Sequence, residues 1–257
     1  MGFFEKIKSG LSKTKQNMAA SWNSMIADFS GENEEFFDEL LQKGDLLHIV
    51  FGSGMTSSIN GALGAAEVMQ KKYPDRKLIV IDSTCSSSGY GMLVDGAADM
   101  RDAGKSMEEV EAWILDHRLR IHHQFFSTDL TYFRRGGRVS GVAATLATVL
   151  GICPLMHLNL DGFIIAYGKA RGKMAAMKET LRVMETHAEN GLDYSGKCWI
   201  SHSHCIEEAE KMKKLILERF PNVKTVEIFD IGTIIAAHTG PGTVATFFFG
   251  DNRINDH

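Results

Sequence analysis

Between an apolar run ending at Val50 and a helical stretch opening near residue 57 stands Phe51-Gly52-Ser53-Gly54-Met55-Thr56-Ser57-Ser58. Glycines let the backbone turn tightly, and a helix start offers unpaired N–H groups and a positive dipole end, so the position favours an anion. The hydroxyls of Ser53, Thr56 and Ser57 add donors. No GK[ST] follows and the glycine spacing misses GxGxxG, which excludes the standard nucleotide loops. Two readings stay open: a site for a phosphate or carboxylate, and an ordinary βα-turn in which Ser and Thr serve as helix caps.

A second cluster, Arg134-Arg135-Gly136-Gly137-Arg138-Val139-Ser140-Gly141, gathers three guanidinium groups around a turn. Arginines match oxyanions bidentately, although a solvated charged loop has the same composition. A third, Ala237-His238-Thr239-Gly240-Pro241-Gly242, brackets a proline with glycines and places His238 where it would meet an anion, exchange a proton, or serve only as a structural imidazole. His122 and His123 stand on a stretch read as helix, where neighbours diverge, and His202 and His204 share one side of a strand end. A metal site needs further ligands that the sequence does not set beside them, so none is expected. Neither a Ser-His-Asp order nor a pair of catalytic carboxylates stands out.

The elements that position these groups alternate short β-branched runs with helical stretches. Residues 46 to 51 and 77 to 82 read as parallel strands joined by a helix over 57 to 72. Helices follow at 88 to 103 and 106 to 122, the second opened by Ser106 with Glu109 three residues on, a capping box. A strand is expected at 124 to 127. Residues 155 to 159 and 163 to 169 flank Asp161-Gly162, a hairpin signal. A helix over 173 to 190, a strand over 197 to 202, a helix over 206 to 220 and strands at 225 to 229 and 243 to 249 complete the reading. Before all this, residues 3 to 22 form an amphipathic pattern with Phe3, Phe4, Ile7, Leu11, Met18 and Trp22 on one face, and residues 34 to 42 a short helix.

With 257 residues, 44% apolar and 23% charged, the chain has the composition of a folded globular protein, so collagen-like and disordered classes are excluded. A net charge of −4 supplies no global field for nucleic acid, and any anion site must be local. Four spaced cysteines without a CxxC read as reduced thiols in the cytoplasm. The most apolar stretch, 142 to 160, is broken by Gly151, Pro154, His157 and Asn159 and falls short of the ~20 residues of a membrane span.

Taken together, GSGMTSS after a strand, VIDSTCSSSGYGMLV, LTYFRRGGRVSG, GKARGKMAAM and AAHTGPGTVATFF resemble the DegV family of bacterial fatty-acid-binding proteins, from about residue 36 to residue 250. The resemblance implies an α/β fold: a truncated parallel-sheet N-terminal domain over 34–150, a mixed-sheet C-terminal domain over 151–250, and a lipid site between them, with a tail at 251–257. It further implies a carrier, not an enzyme, that holds a long-chain fatty acid and presents its carboxylate to a separate fatty acid kinase, without cofactor or metal. Carried over by motif, Ser53, Gly54, Thr56 and His238 match positions at the carboxylate, and Arg138 and Arg171 match basic positions toward the kinase.

The opening departs from the family pattern. No strand with a TDST-type motif and no Thr/Ser-rich loop is found before Leu46, and Asp82-Ser83-Thr84 belongs to a later strand. Residues 1–33 therefore read as a helical leader foreign to the family, the first 20 of them resembling the opening helix of the signal-recognition-particle receptor GTPase, with no GTP-binding loop behind it. Such a leader would cover a sheet edge, touch membrane weakly and reversibly, or do neither. The competing functions are an enzyme acting on a small phosphorylated metabolite through the GSGMTSS turn and His238, and a shortened remnant without ligand.

Overall fold

The computed structural model describes residues 34–137 and 151–254. Contacts divide these into two units, one of residues 34–50 with 57–81 and the other of residues 51–56 with 82–254. The first unit is a small parallel α/β layer. Helix α1 spans 34–41, strand β1 Leu46–Val50, helix α2 Ser58–Lys72 and strand β2 Leu78–Asp82. Phe37, Leu41, Val50, Ala62, Ala65 and Met69 form its core. The four-residue steps from Phe37 to Leu41 and from Ala65 to Met69 put each helix's apolar residues on one face. Both strands are half-buried runs of β-branched and aliphatic residues, and Leu46 N–H donates to Lys77 O at 2.8 Å to align them.

The second unit is built on a six-stranded mixed sheet in the order β5-β4-β3-β8-β6-β7. The strands are β3 (Ile121–Phe126), β4 (Ile152–Leu158), β5 (Ile164–Arg171), β6 (Lys197–His202), β7 (Thr225–Asp230) and β8 (Val244–Phe249). Only β6 and β7 run parallel; all other pairs are antiparallel. Helices α3 (Ser87–Asp102), α4 (Met107–His117), α5 (Thr131–Arg135), α6 (Lys173–His187), α7 (Ile206–Arg219) and α8 (Thr233–Thr239) complete it. Alternation along β8 shows how the two faces are used. Val244 and Phe248 join a core with Met177 and Met184 of α6 and Met212 and Ile216 of α7, while Phe247 points to the opposite face and meets His123 edge-on.

The hairpin read at Asp161-Gly162 is formed between β4 and β5, with Gly162 at φ 80 and Asn159 Oδ1 accepting from Phe163 N–H at 3.0 Å. The capping box at Ser106 and Glu109 is also formed. The helix it opens does not reach residue 122, however, but ends at His117. Strand β3 starts at Ile121, so His122 and His123 alternate across a sheet instead of diverging on a helix. The reason is tertiary: six consecutive residues of β3 pair with β8, an apolar strand whose register no local pattern announces. A boundary at 150 would part β3 from β4 and β8, with which it pairs, whereas the contact-defined units keep these strands together. No helix among the described residues is long and apolar enough to cross a membrane.

Candidate functional site

The anion-type loop is held by backbone groups. Gly52 N–H donates to Cys85 O at 2.9 Å, and Gly52 O accepts from the N–H groups of Met55 and Thr56 at 2.9 and 3.3 Å, which closes the turn on itself. One oxygen of Asp82 then joins two segments, accepting from Ser53 N–H and Thr84 N–H at 3.0 Å each. Gly54 lies against the hairpin tip: a Cβ there would overlap the Gly162 carbonyl. Ser53, Gly54 and Thr56 are thus carried on one turn, pinned between residues 82–85 and residues 161–162. Ser53 is exposed, and neither its hydroxyl nor the Gly54 N–H has a hydrogen-bond partner among the described residues.

Beneath this turn lies a knot that sequence reasoning missed. Thr84 has φ 50, a left-handed conformation uncommon for any non-glycine residue and an outlier for a β-branched one. Such strain persists where the surroundings over-determine it. Here Arg253 does so, donating from Nη1 to Thr84 O at 3.1 Å and from Nη2 to Thr84 Oγ1 at 2.8 Å and Arg118 O at 3.2 Å. Arg118 in turn donates to Asp82 O at 2.7 Å. Arg253 is only 3% exposed, and burial, with the Arg118 charge acting the same way, pushes its guanidinium pKa down. All its hydrogen-bond partners are neutral oxygens; no carboxylate lies within ion-pair distance of it among the described residues. The Asp82-Ser83-Thr84 signal was visible in the sequence, but its partner lies 169 residues away, in a tail without motif.

His238 occupies the last turn of α8 and is half-buried. It packs on the glycine turn after α5, where a Cβ on Gly136 would stand 2.5 Å from its Nδ1. Gly240 of the same loop packs on Tyr132, and Gly242 on Thr128. The HTGPG and RRGG motifs therefore meet each other. No hydrogen bond joins His238 to Ser53 among the described residues. Arg171 ends β5 opposite Ile152 and is exposed, whereas Arg138 lies outside the described residues.

The site thus pairs a turn bearing donors at Ser53 and Gly54, unpartnered among the described residues, with an arginine-braced, strained Thr84 in the neighbouring segment. Comparison with known proteins specifies the class. The family model described as "Uncharacterised protein, DegV family" matches residues 8–251, and the chain belongs to the DegV family. That match begins inside the segment read above as a foreign leader. A DegV domain-containing protein of Clostridium perfringens is 34% identical over 220 residues, covering 85% of this chain and 75% of the relative. One from Lactococcus lactis is 30% identical over 219 residues, covering 85% and 74%. Among solved structures, the Thermus thermophilus DegV family protein described for its fatty acid binding superposes with a TM-score of 0.76 at 24% identity, covering 86% of this chain and 77% of that one. The Streptococcus pneumoniae fatty acid kinase B3 protein, loaded with linoleic acid, gives 0.73 at 20% identity, covering 80% and 72%. At these identities the structural likeness is one of fold.

Proposed function

We propose that this chain is a carrier for a long-chain fatty acid, gripping the carboxylate at the Ser53–Gly54 turn and handing it to a separate fatty acid kinase for acyl-phosphate formation. The single observation that carries the reading is the exposed Ser53 hydroxyl and free Gly54 N–H, two donors without acceptors among the described residues. An anion accepting from both groups would satisfy donors that nothing in the described residues satisfies. Solved relatives of the same fold carry heptadecanoic acid and linoleic acid, which supports an acyl chain as the remainder of the ligand. Each buried methylene would contribute about 0.8 kcal/mol, so affinity comes from the tail and register from the head.

In this reading Thr56 and His238 complete the polar surroundings of the head group, and Arg138 and Arg171, the latter exposed, serve the contact with the kinase. The protein itself performs no chemistry and needs no cofactor. It works in the cytoplasm, where its four free, buried cysteines stay reduced. Organic extraction of natively purified protein, followed by mass spectrometry, tests the proposal. One long-chain fatty acid per chain is expected. Absence of any acid, together with no saturable uptake of added oleate, would overturn it, as would turnover of phosphorylated metabolites by the chain alone.

A further inference from the structure

Within the second unit, three groups distant in sequence converge. His122 of β3 presents Nε2 3.0 Å from both Oδ1 and the main-chain O of Asp251, and His187, the last residue of α6, places Nδ1 3.1 Å from both carboxylate oxygens of the same aspartate. One ligand atom from each lies within 4.8 Å of the others. From this geometry we infer a binding site for a single divalent transition metal, zinc by preference, ligated by His122, His187 and Asp251.

The chemistry matches the ion. Two imidazoles and a carboxylate form a borderline donor set that suits zinc, and tetrahedral bonds of about 2.0–2.2 Å require donors roughly 3.3–3.6 Å apart, so the two imidazole–carboxylate distances of 3.0 and 3.1 Å need open only by a few tenths of an ångström.

The site is built, not accidental. Asp251 N–H donates to His187 O at 3.0 Å, which ties two of the ligand backbones together. Gly250 is forced by the same approach: a Cβ there would overlap the His187 carbonyl and stand 3.0 Å from the His122 ring. His122 is stacked between Phe248 and His187, with ring centroids at 5.0 and 5.2 Å, which fixes its orientation.

A second observation points to a ligand. A cavity of about 170 Å³ opens beside the two imidazoles, lined by His122, His187, Gln124 and His157 and also by Arg182 and Arg253. Gln124 is 3% exposed, and its Oε1 has no hydrogen-bond partner among the described residues. It follows His122 by two residues on β3 and so shares its side of the strand. A metal-bound water in the fourth position would supply the donor this buried oxygen lacks. The bound ion would clamp β3, the end of α6 and the segment after β8.

Titration of the metal-stripped full chain with zinc alone, by calorimetry, tests the site, with cobalt absorption as the second readout. One zinc per chain is expected, and Asp251→Ala or His187→Ala should weaken it by more than about 100-fold, beyond the roughly 10–100-fold lost when a group that merely orients a ligand is removed. Both residues are at least partly exposed, so these variants should fold, which circular dichroism checks. Cobalt should give visible bands of tetrahedral nitrogen and oxygen coordination without sulfur charge transfer. Equal zinc binding by the wild type and Asp251→Ala, no binding at all, or cobalt bands carrying thiolate charge transfer would each overturn the inference.

Discussion

Gly54 and Gly162 meet backbone against backbone: a Cβ on Gly54 would run into the Gly162 carbonyl and lie 2.8 Å from Asp161 O. A loop near the start of the chain is therefore seated on a hairpin tip more than a hundred residues later, with no side chain between them. Gly54→Ala must push one backbone off the other, and overpacking of this kind costs about 1–3 kcal/mol. The urea midpoint should fall accordingly. An unchanged midpoint would show that the turn is not held by the hairpin.

Ser53→Ala removes an exposed hydroxyl that has no partner within the chain, so stability should change by less than about 0.5 kcal/mol. Fatty acid affinity should weaken by about 1–3 kcal/mol, the cost of leaving a carboxylate oxygen without its donor. Urea unfolding measures the first arm and titration with a fluorescent fatty acid the second. Equal affinity for the two proteins would remove Ser53 from the head-group site.

Arg253→Met strips two donors from Thr84 and one from Arg118 while leaving the strained Thr84 conformation without its brace. A loss on the order of 3 kcal/mol is expected in thermal or chemical unfolding, since each buried group left unpaired costs about 1–3 kcal/mol. Arg253→Lys should restore little, because an ammonium cannot reproduce the fork that spans Thr84 O, Thr84 Oγ1 and Arg118 O. Full rescue by lysine would mean that charge alone, not geometry, matters there.

Burial pushes the Cys85 thiol up to about 12 and raises that of Cys198 as well. The folded state thus keeps both thiols protonated where the unfolded chain, near its ordinary value of 9.0, has begun to ionise. Their contribution is fully present below pH 9 and is lost as pH rises from 9 toward 12, at up to about 1.4 kcal/mol per pH unit for each thiol. Stability measured from pH 8 to pH 11 should fall with that slope, and less steeply in Cys198→Ala. Iodoacetamide at pH 8 should label neither residue until urea is added, as peptide mass mapping would report.

Ser106→Ala should cost about 0.5–2 kcal/mol, the usual worth of a helix N-cap, because Ser106 Oγ accepts the Glu109 N–H at 3.2 Å. Hydrogen exchange in the first turn of α4 should accelerate. This change lies away from the head-group residues, so fatty acid affinity should stay as it was.

The amino-acid sequence alone determined what local chemistry can specify. The Ser106–Glu109 cap, the Asp161-Gly162 hairpin, the strand over 197–202 and the Gly52–Thr56 turn all follow from residues within a few positions of one another, and the motifs along the chain pointed to the family. Tertiary structure decided the rest. Whether residues 118–123 continue a helix or begin a strand depended on β8, which offers a pairing edge more than a hundred residues away. Arg253 finds Thr84 across 169 residues, and Asp251 finds His122 across 129. Hydrogen-bond ladders and buried charges act through space, so no window of sequence holds both partners, and only the closed chain brings a guanidinium, a strained threonine or two imidazoles to the place where each can act.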